Sequence, residues 1–377
     1  MQLTVTEIVL PALTTAHSHA FQRALRGQTQ RAGPVGTDDF WSWRTAMYRL
    51  ADELTPESIY AIARVAYRDL YRAGVRTVGE FHYVHHQPGG QPYEDRTLLA
   101  EAVIRAARDE GLRIALLRVV YARAGQDRPP EGAQRRFADA KLEAALADVD
   151  TLRARYAGAS DVVIGLAPHS VRAVPPAWLG ELAAYAERYA LPLHMHVAEQ
   201  SAELEACRAE TGRLPVEHLA ERGVLGPRFV AVHATHLAAH EFDLLGQSKS
   251  FVCLCPTTER DLGDGLPNVG ALYAAGARLC VGIDSHVVAH PIEDLRGIEL
   301  GERLRTQKRV TLRPPTGRTP AEELWHMGSE VGAQACGFAD SGGTVTIPRS
   351  APELALVADE LLLDAIVFSG GSAMLRP

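Results

Sequence analysis

The sequence predicts an α/β fold, a (β/α)8 TIM-like barrel with a small, reduced β appendage drawn from both termini. Three observations carry this. Short apolar runs alternate with helical-period segments from residue 12 to about 310. There are eight such runs, each apolar on both faces, as the strands of a buried parallel sheet must be. At 377 residues the chain can hold one barrel of ~250 residues with additions.

In chain order the expected strands are Leu13–Ala16, Val75–Tyr83, Arg113–Tyr121, Val162–Pro168, Pro192–Ala198, Phe229–Ala234, Phe251–Pro256 and Arg278–Asp284. Helical periodicity marks Pro56–Ala73, Thr97–Glu110, Ala138–Tyr156, Pro176–Tyr189 and Val287–Arg305 between them. A doubly wound open sheet would alternate in the same way. The chain lacks the G-x-G-x-x-G and G-x-x-x-x-G-K-[ST] loops of its nucleotide-binding versions. The barrel is expected over residues 11–340, and residues 1–10 with 341–377 form the appendage. There Leu3–Leu10 is expected to pair with short strands at Thr344–Ile347, Leu354–Val357 and Ala365–Phe368, which follow Gly342-Gly343. The polar, Pro-containing loop Gln126–Glu131 is the segment expected to be most mobile.

Composition narrows the function. Hydrophobic residues are 46% and charged residues 23%, the balance of a soluble globular protein. A formal net charge of −7 speaks against a nucleic-acid partner. No apolar run reaches the ~18 residues of a membrane span. The apolar stretch Ile8–Ala20 ends in small residues, but no Lys or Arg precedes Arg23, so the basic start of a secretion signal is missing. A cytoplasmic location is expected. The five cysteines, Cys207, Cys253, Cys255, Cys280 and Cys336, form no C-x-x-C pair and are expected as free thiols. Cys253 and Cys255, two apart in one strand, share a face.

Histidine carries the chemistry. Of 15 histidines, several sit where strands end. His17 and His19 form an H-x-H on the first strand, and His194 and His196 another on the fifth. His233 ends the sixth strand and Asp284 the eighth. Period-two alternation puts each H-x-H pair on one face. The C-terminal ends of barrel strands share one mouth, where active sites are built. His17, His19, His196, His233 and Asp284 are thus expected to converge. Singly, each has a plainer explanation, a core histidine or a helix-capping aspartate. Together, several buried imidazoles and a carboxylate call for a cation or full hydrogen bonding. Such donors suit Zn²⁺, with Fe²⁺ or Mn²⁺ as alternatives. Water on such an ion has a pKa of about 7 and becomes a nucleophile at neutral pH.

These residues resemble the amidohydrolase superfamily, whose pattern is H-x-H on strand one, His on strands five and six, and Asp on strand eight. Some members bridge two metals with a carboxylated lysine on strand four. This chain has only Lys141, Lys249 and Lys308, and His169 stands at that strand end, so a single metal is expected. The resemblance narrows to the formimidoylglutamate deiminase family through His17-Ser18-His19-Ala20-Phe21-Gln22-Arg23-Ala24, Phe40-Trp41-Ser42-Trp43-Arg44 and Glu80-Phe81-His82-Tyr83-Val84-His85-His86. Further matches are His169-Ser170-Val171-Arg172, His196-Val197-Ala198-Glu199-Gln200, Val232-His233-Ala234-Thr235-His236 and Asp284-Ser285-His286. They span about residues 12–338.

That family hydrolyses N-formimidoyl-L-glutamate to N-formyl-L-glutamate and ammonia in histidine degradation. The resemblance implies His17, His19, His196 and Asp284 as metal ligands. It implies His233 and Asp284 as proton acceptors and Glu199 as proton shuttle to the formimidoyl nitrogens. Gln22, Arg44, Tyr83, His169 and Arg172 would line the pocket of a small acidic substrate, with the two arginines forking its two carboxylates. His82, His85, His86 and His194 are expected as supporting or packing groups. His236, His240, His290 and His326 are expected to be structural or solvated. Other substrates within the superfamily are a further amidine, a guanidine or a nucleobase. A non-catalytic scaffold is the remaining alternative, but it has no use for an intact base beside the metal ligands. Family members carry a longer N-terminal segment before the H-x-H, and their basic-Ala-Asp-Leu signature is here Ser350-Ala351-Pro352-Glu353-Leu354. The exposed barrel face is therefore expected to be covered in a homodimer.

Overall fold

Eight parallel strands form the barrel wall: Leu13–Ser18, Val75–His82, Arg113–Val120, Val162–Pro168, Leu193–Val197, Phe229–His233, Phe251–Leu254 and Arg278–Val281. Their spatial order is their sequence order, and each pairs in parallel with the next. The computed structural model describes residues 1–31, 33 and 39–376. First and last strands close the ring at their C-terminal ends. Ile283 and Asp284 donate backbone N–H groups to the His17 carbonyl at 3.0 and 3.1 Å, and His19 N–H donates to the Asp284 carbonyl at 3.0 Å. The seam of the barrel therefore runs through three of the expected ligands.

All eight expected strands are present, with ends shifted by a few residues. The first runs on to Ser18 because its end pairs with Glu80 and Asp284. The helices hold the wall from outside. Pro56–Arg72 starts at a capping box of Thr55 and Ser58 with Pro56 in its first turn. It buries Ile59, Ala63, Ala66, Tyr67 and Leu70 along one stripe. The helix expected from Ala138 begins only at Leu142. Ala138 bridges to Tyr121 instead, and Asp139 N–H donates to the Tyr121 carbonyl at 2.8 Å. That delivers the Asp139 carboxylate to the buried Arg118, which also binds Asp148 at 2.6 Å. The helix expected from Val287 begins at Pro291, with His290 as its cap.

The appendage is a three-stranded antiparallel sheet of Gln2–Leu3, Glu7–Pro11 and Thr344–Pro348. Two expected strands there are not strands. Leu354–Val357 lies at a 3-10 turn, Pro352–Leu354, where Pro352 presets φ and removes a ladder donor. Ala365–Phe368 falls within the helix Leu362–Ser369. Leu362, Leu363, Ile366 and Val367 are its buried residues, a helical spacing that so short an apolar run conceals. The loop from Gln126 is a tight turn, with Ala124 N–H bonded to the Arg128 carbonyl. All five cysteines are free and buried, and Cys253, Cys255, Cys280 and Cys336 pack in one apolar cluster. Among the described residues, no helix is long and apolar enough to cross a membrane.

Gly282 lies at the seam. A Cβ there would sit 2.7 Å from the His17 Cβ and 2.9 Å from the Cys255 Sγ. Gly282→Ala is expected to cost about 1–3 kcal/mol by overpacking. Urea denaturation should show a lower midpoint with an unchanged slope. An unchanged midpoint would mean that the seam has slack.

Candidate active site

Four ligand-type atoms meet at the barrel mouth. The His17 Nε2 is 3.2 Å from the His196 Nε2 and 3.3 Å from the Asp284 Oδ1. The His19 Nε2 is 3.4 Å from the His196 Nε2 and 3.3 Å from the same Asp284 oxygen. Two of the rings have their hydrogens placed by their other nitrogen. His19 Nδ1 donates to the Phe81 carbonyl at 3.0 Å and His196 Nδ1 to the His169 carbonyl at 3.1 Å. Carbonyls only accept, so in each neutral ring Nε2 is a bare lone pair. Two such lone pairs cannot hydrogen-bond to each other. A tetrahedral ion with bonds of ~2.05 Å has edges of ~3.3 Å, which fits these separations. The donor set therefore suits one divalent cation.

Electrostatics agree. Burial pushes the His17 and His196 rings down from their ordinary values, and the His19 ring down to about 3. These rings are neutral at pH 7, as ligands must be. Burial opposes ionisation of Asp284, but its contacts to His17, His19 and His233 hold its carboxyl well below the usual range. Glu80 anchors the H-x-H turn from behind. It accepts from Ser18 Oγ at 2.7 Å and Ala20 N–H at 2.8 Å. Burial nonetheless raises its carboxyl to about 7.

His233 and Glu199 stand beside this box. The His233 Nε2 lies 3.8 Å from the Glu199 Oε1 and 3.8 Å from the Asp284 Oδ2. Burial pushes Glu199 up, against the His233 charge, and the nearby Asp264 and Asp284 carboxyls add to the rise. Burial opposes charging of His233, but a charged Glu199, the bond to Glu259 and Asp284 raise this ring, so that Glu199 and His233 compete for one proton near neutrality. The chain bends sharply to present these groups. Ala198, His233, Ala234 and Asp284 all have positive φ, between 52° and 70°, at a cost of about 1–2 kcal/mol each for non-glycine residues. Ala234 N–H to the Val197 carbonyl and His236 N–H to the Ala198 carbonyl, both 3.0 Å, hold two of the bends.

A cavity opens over the box. Gln22, Arg44, Tyr83, His169 and Arg172 all line it, as do His19, His196, Glu199, His233 and Asp284. Gln22 Nε2 donates to the Tyr83 hydroxyl at 2.8 Å. The Arg44 guanidinium lies 4.3 Å over the Trp41 ring, and burial lowers its pKa. Arg44 Nη1, the Gln22 Oε1 and the Tyr121 hydroxyl are buried without a hydrogen-bond partner among the described residues. Among the described residues, the carboxylates that line the cavity are Glu199 and Asp284, beside the metal box.

Sequence reasoning missed Tyr48, Tyr121, Glu80 and Glu259. Tyr48 follows Arg44 by four residues on helix Phe40–Glu53 and so shares its face. Tyr121 ends the third expected strand, at the mouth. Both signals were readable. Nothing in the spacing marks Glu259, which reaches the His233 Nδ1 at 3.3 Å. The remaining histidines are structural. His85 and His86 bond the Val119 and Ala138 carbonyls, and His82 packs on His85. His194 bonds the Ala335 carbonyl at 2.8 Å. His236 bonds the Asp264 carbonyl, His240 pairs with Glu217, His290 caps its helix and His326 pairs with Glu330.

Residues 8–369 match the Amidohydrolase family. The chain is 39% identical, over 98% of its length and 82% of the relative's, to formimidoylglutamate deiminase of Pseudomonas aeruginosa. It is 31% identical to 8-oxoguanine deaminase of the same organism, over 74% of this chain and 59% of that one. Among solved structures, an amidohydrolase from Brucella melitensis superposes with a TM-score of 0.89 at 32% identity, covering 98% of this chain and 84% of the other. A zinc-bound adenosine deaminase from Xanthomonas campestris superposes with a TM-score of 0.80 at 21% identity, over 98% and 78% of the two chains, and shares the fold.

Removing the cation should expose the repulsion inside the box. A chelator is expected to lower the Tm. The loss should approach ~2.7 kcal/mol for a sample first held at 100 times the metal Kd. His196→Ala should bind far less metal and show no chelator effect on its Tm. A Tm that ignores the chelator in the parent protein would contradict the assignment.

Proposed function

The chain belongs to the amidohydrolase family, and from that premise we propose that it hydrolyses N-formimidoyl-L-glutamate to N-formyl-L-glutamate and ammonia, as in histidine degradation. Membership makes it a metal-dependent hydrolase of C–N bonds. The observation that carries the substrate is the pairing, in one cavity, of the His–Asp box with the two guanidiniums of Arg44 and Arg172, which form no ion pair among the described residues. Zinc is the proposed ion. When bound, it polarises the scissile group and lowers the pKa of water to about 7.

The chain's own groups do the rest. Arg44 and Arg172 take the two substrate carboxylates, for which a planar guanidinium offers paired N–H donors. Arg44 Nη1 is a buried donor without a partner among the described residues, and a bound carboxylate relieves that cost. Gln22, Tyr83 and His169 position the formimidoyl arm. His233 and Asp284 accept the proton of the attacking water. The water oxygen bonds to the formimidoyl carbon, and the bond from that carbon to the terminal nitrogen breaks. Glu199, kept protonated by burial, gives its proton to that nitrogen, and the proton taken from the water is passed on to it, so that it leaves as ammonia while the hydroxyl proton of the adduct restores Glu199. The oxygen remains as the formyl group.

A second reading, nucleobase deamination, draws on the aromatic wall of Phe40, Trp43, Tyr48 and Tyr121 and on the 8-oxoguanine deaminase relative. A neutral base has no use for two guanidiniums. The deciding experiment is ammonia release by the zinc-loaded protein from N-formimidoyl-L-glutamate, beside N-formimidoylglycine and guanine. Release should be fast with the first, slow with the single-carboxylate compound, absent with guanine and abolished by chelation. Fast turnover of guanine would overturn the substrate. Arg172→Gln should raise KM by about tenfold or more, since it removes a charge-assisted bond of ~1.5–3 kcal/mol. Glu199→Gln should cut kcat by ~10² or more with metal content unchanged. Metal loss in that variant would make Glu199 a ligand instead.

A further inference from the structure

We propose that Glu259 is a positioning residue that fixes the working tautomer of His233. The proposal rests on His233 as proton acceptor, and it is independent of which C–N substrate is hydrolysed.

Glu259 lies on the short helix Pro256–Leu262, which follows the seventh barrel strand. Its side chain is 3% exposed. One oxygen, Oε1, accepts the Cys255 backbone N–H at 2.8 Å and faces the His233 Nδ1 at 3.3 Å. A carboxylate oxygen only accepts, so Nδ1 carries the ring hydrogen. In the neutral ring Nε2 is then the acceptor. Nε2 is the atom that looks onto Glu199 and Asp284, each at 3.8 Å. The proton-accepting lone pair thus points at the reaction zone because Glu259 occupies the opposite side of the ring.

Among the described residues, no Lys or Arg forms an ion pair with Glu259, whose one ion-pair contact is His233. The ring N–H is thus the side-chain donor its buried oxygen faces. A plain structural role, reaching back to cap the Cys255 N–H, is also present on the same oxygen. Cys255 and Glu259 could with His233 hold an ion of their own, in which case the Nδ1 hydrogen would be absent in the parent protein.

Glu259→Gln separates these roles. The Cys255 N–H pins the amide oxygen in place of Oε1, since the flipped amide would set two donors against each other. Gln therefore keeps both contacts and loses only the charge. Glu259→Ala loses both. The zinc-loaded full-length protein, labelled with ¹⁵N-histidine, reports the ring tautomer by NMR, with His233→Asn identifying the signal. The parent and Glu259→Gln should show His233 hydrogenated at Nδ1, and Glu259→Ala should not. In the ammonia assay Glu259→Gln, which keeps the acceptor, should hold kcat within about threefold, and Glu259→Ala should lose ~10² or more, with KM within about twofold and zinc content unchanged. A hundredfold loss in Glu259→Gln with Nδ1–H retained would overturn the proposal. So would Nδ1–H persisting in Glu259→Ala. If Glu259→Ala does not fold, Glu259→Leu, which fills the space without an acceptor, takes its place. If the parent releases no ammonia from the formimidoyl compound, the substrate reading fails, and the tautomer measurement still tests Glu259.

Discussion

The bare Nε2 lone pairs of His19 and His196, 3.4 Å apart, repel each other unless a cation lies between them, and the rest of the architecture keeps them there beside His17 and Asp284. The first and eighth strands join where His17, His19 and Asp284 stand. Backbone N–H groups of Ile283 and Asp284 close on the His17 carbonyl. Closing the barrel and assembling three ligands are one event. Gly282 permits it by leaving no side chain between His17 and Cys255. His196 enters from the fifth strand with its Nδ1 tied to the His169 carbonyl, so its orientation is set before any ion arrives.

Around the box, charge is sorted by location. Acidic groups gather on one side, where Glu199, Asp284 and Glu259 surround His233. Basic groups gather on another, with Arg44 and Arg172 on the same cavity wall. The backbone bends that present the acidic side are strained, with positive φ at Ala198, His233, Ala234 and Asp284. Such strain persists only where surrounding packing over-determines it. Here that packing is the barrel itself, whose strand residues from Val75 to His82 are all buried.

Most of the barrel was legible in the sequence because parallel strands buried on both faces leave unbroken apolar runs, and all eight runs became strands. The convergence of the candidate ligands was legible because period-two alternation and strand ends are written in the order of residues. His17, His19, His196, His233 and Asp284 do converge. Arg44 and the pocket residues were legible only through family resemblance, since a helix after the first strand has no spacing that aims it at the mouth. The terminal segment was misread where apolar runs were too short to show a period. Leu362–Ser369 is a helix and Pro352–Leu354 a turn. Glu259 was invisible because its role arises from a contact 26 residues away in sequence, across two strands.

X-ray absorption at the zinc edge of the reconstituted protein, with the metal counted per chain, tests the central claim most directly. One ion should be bound, with only nitrogen and oxygen neighbours at ~2.0–2.2 Å, from three imidazoles and a carboxylate. A sulfur neighbour at ~2.3 Å would place the ion with Cys255, Glu259 and His233 instead and contradict the account of the box, of the proton acceptor and of Glu259 together.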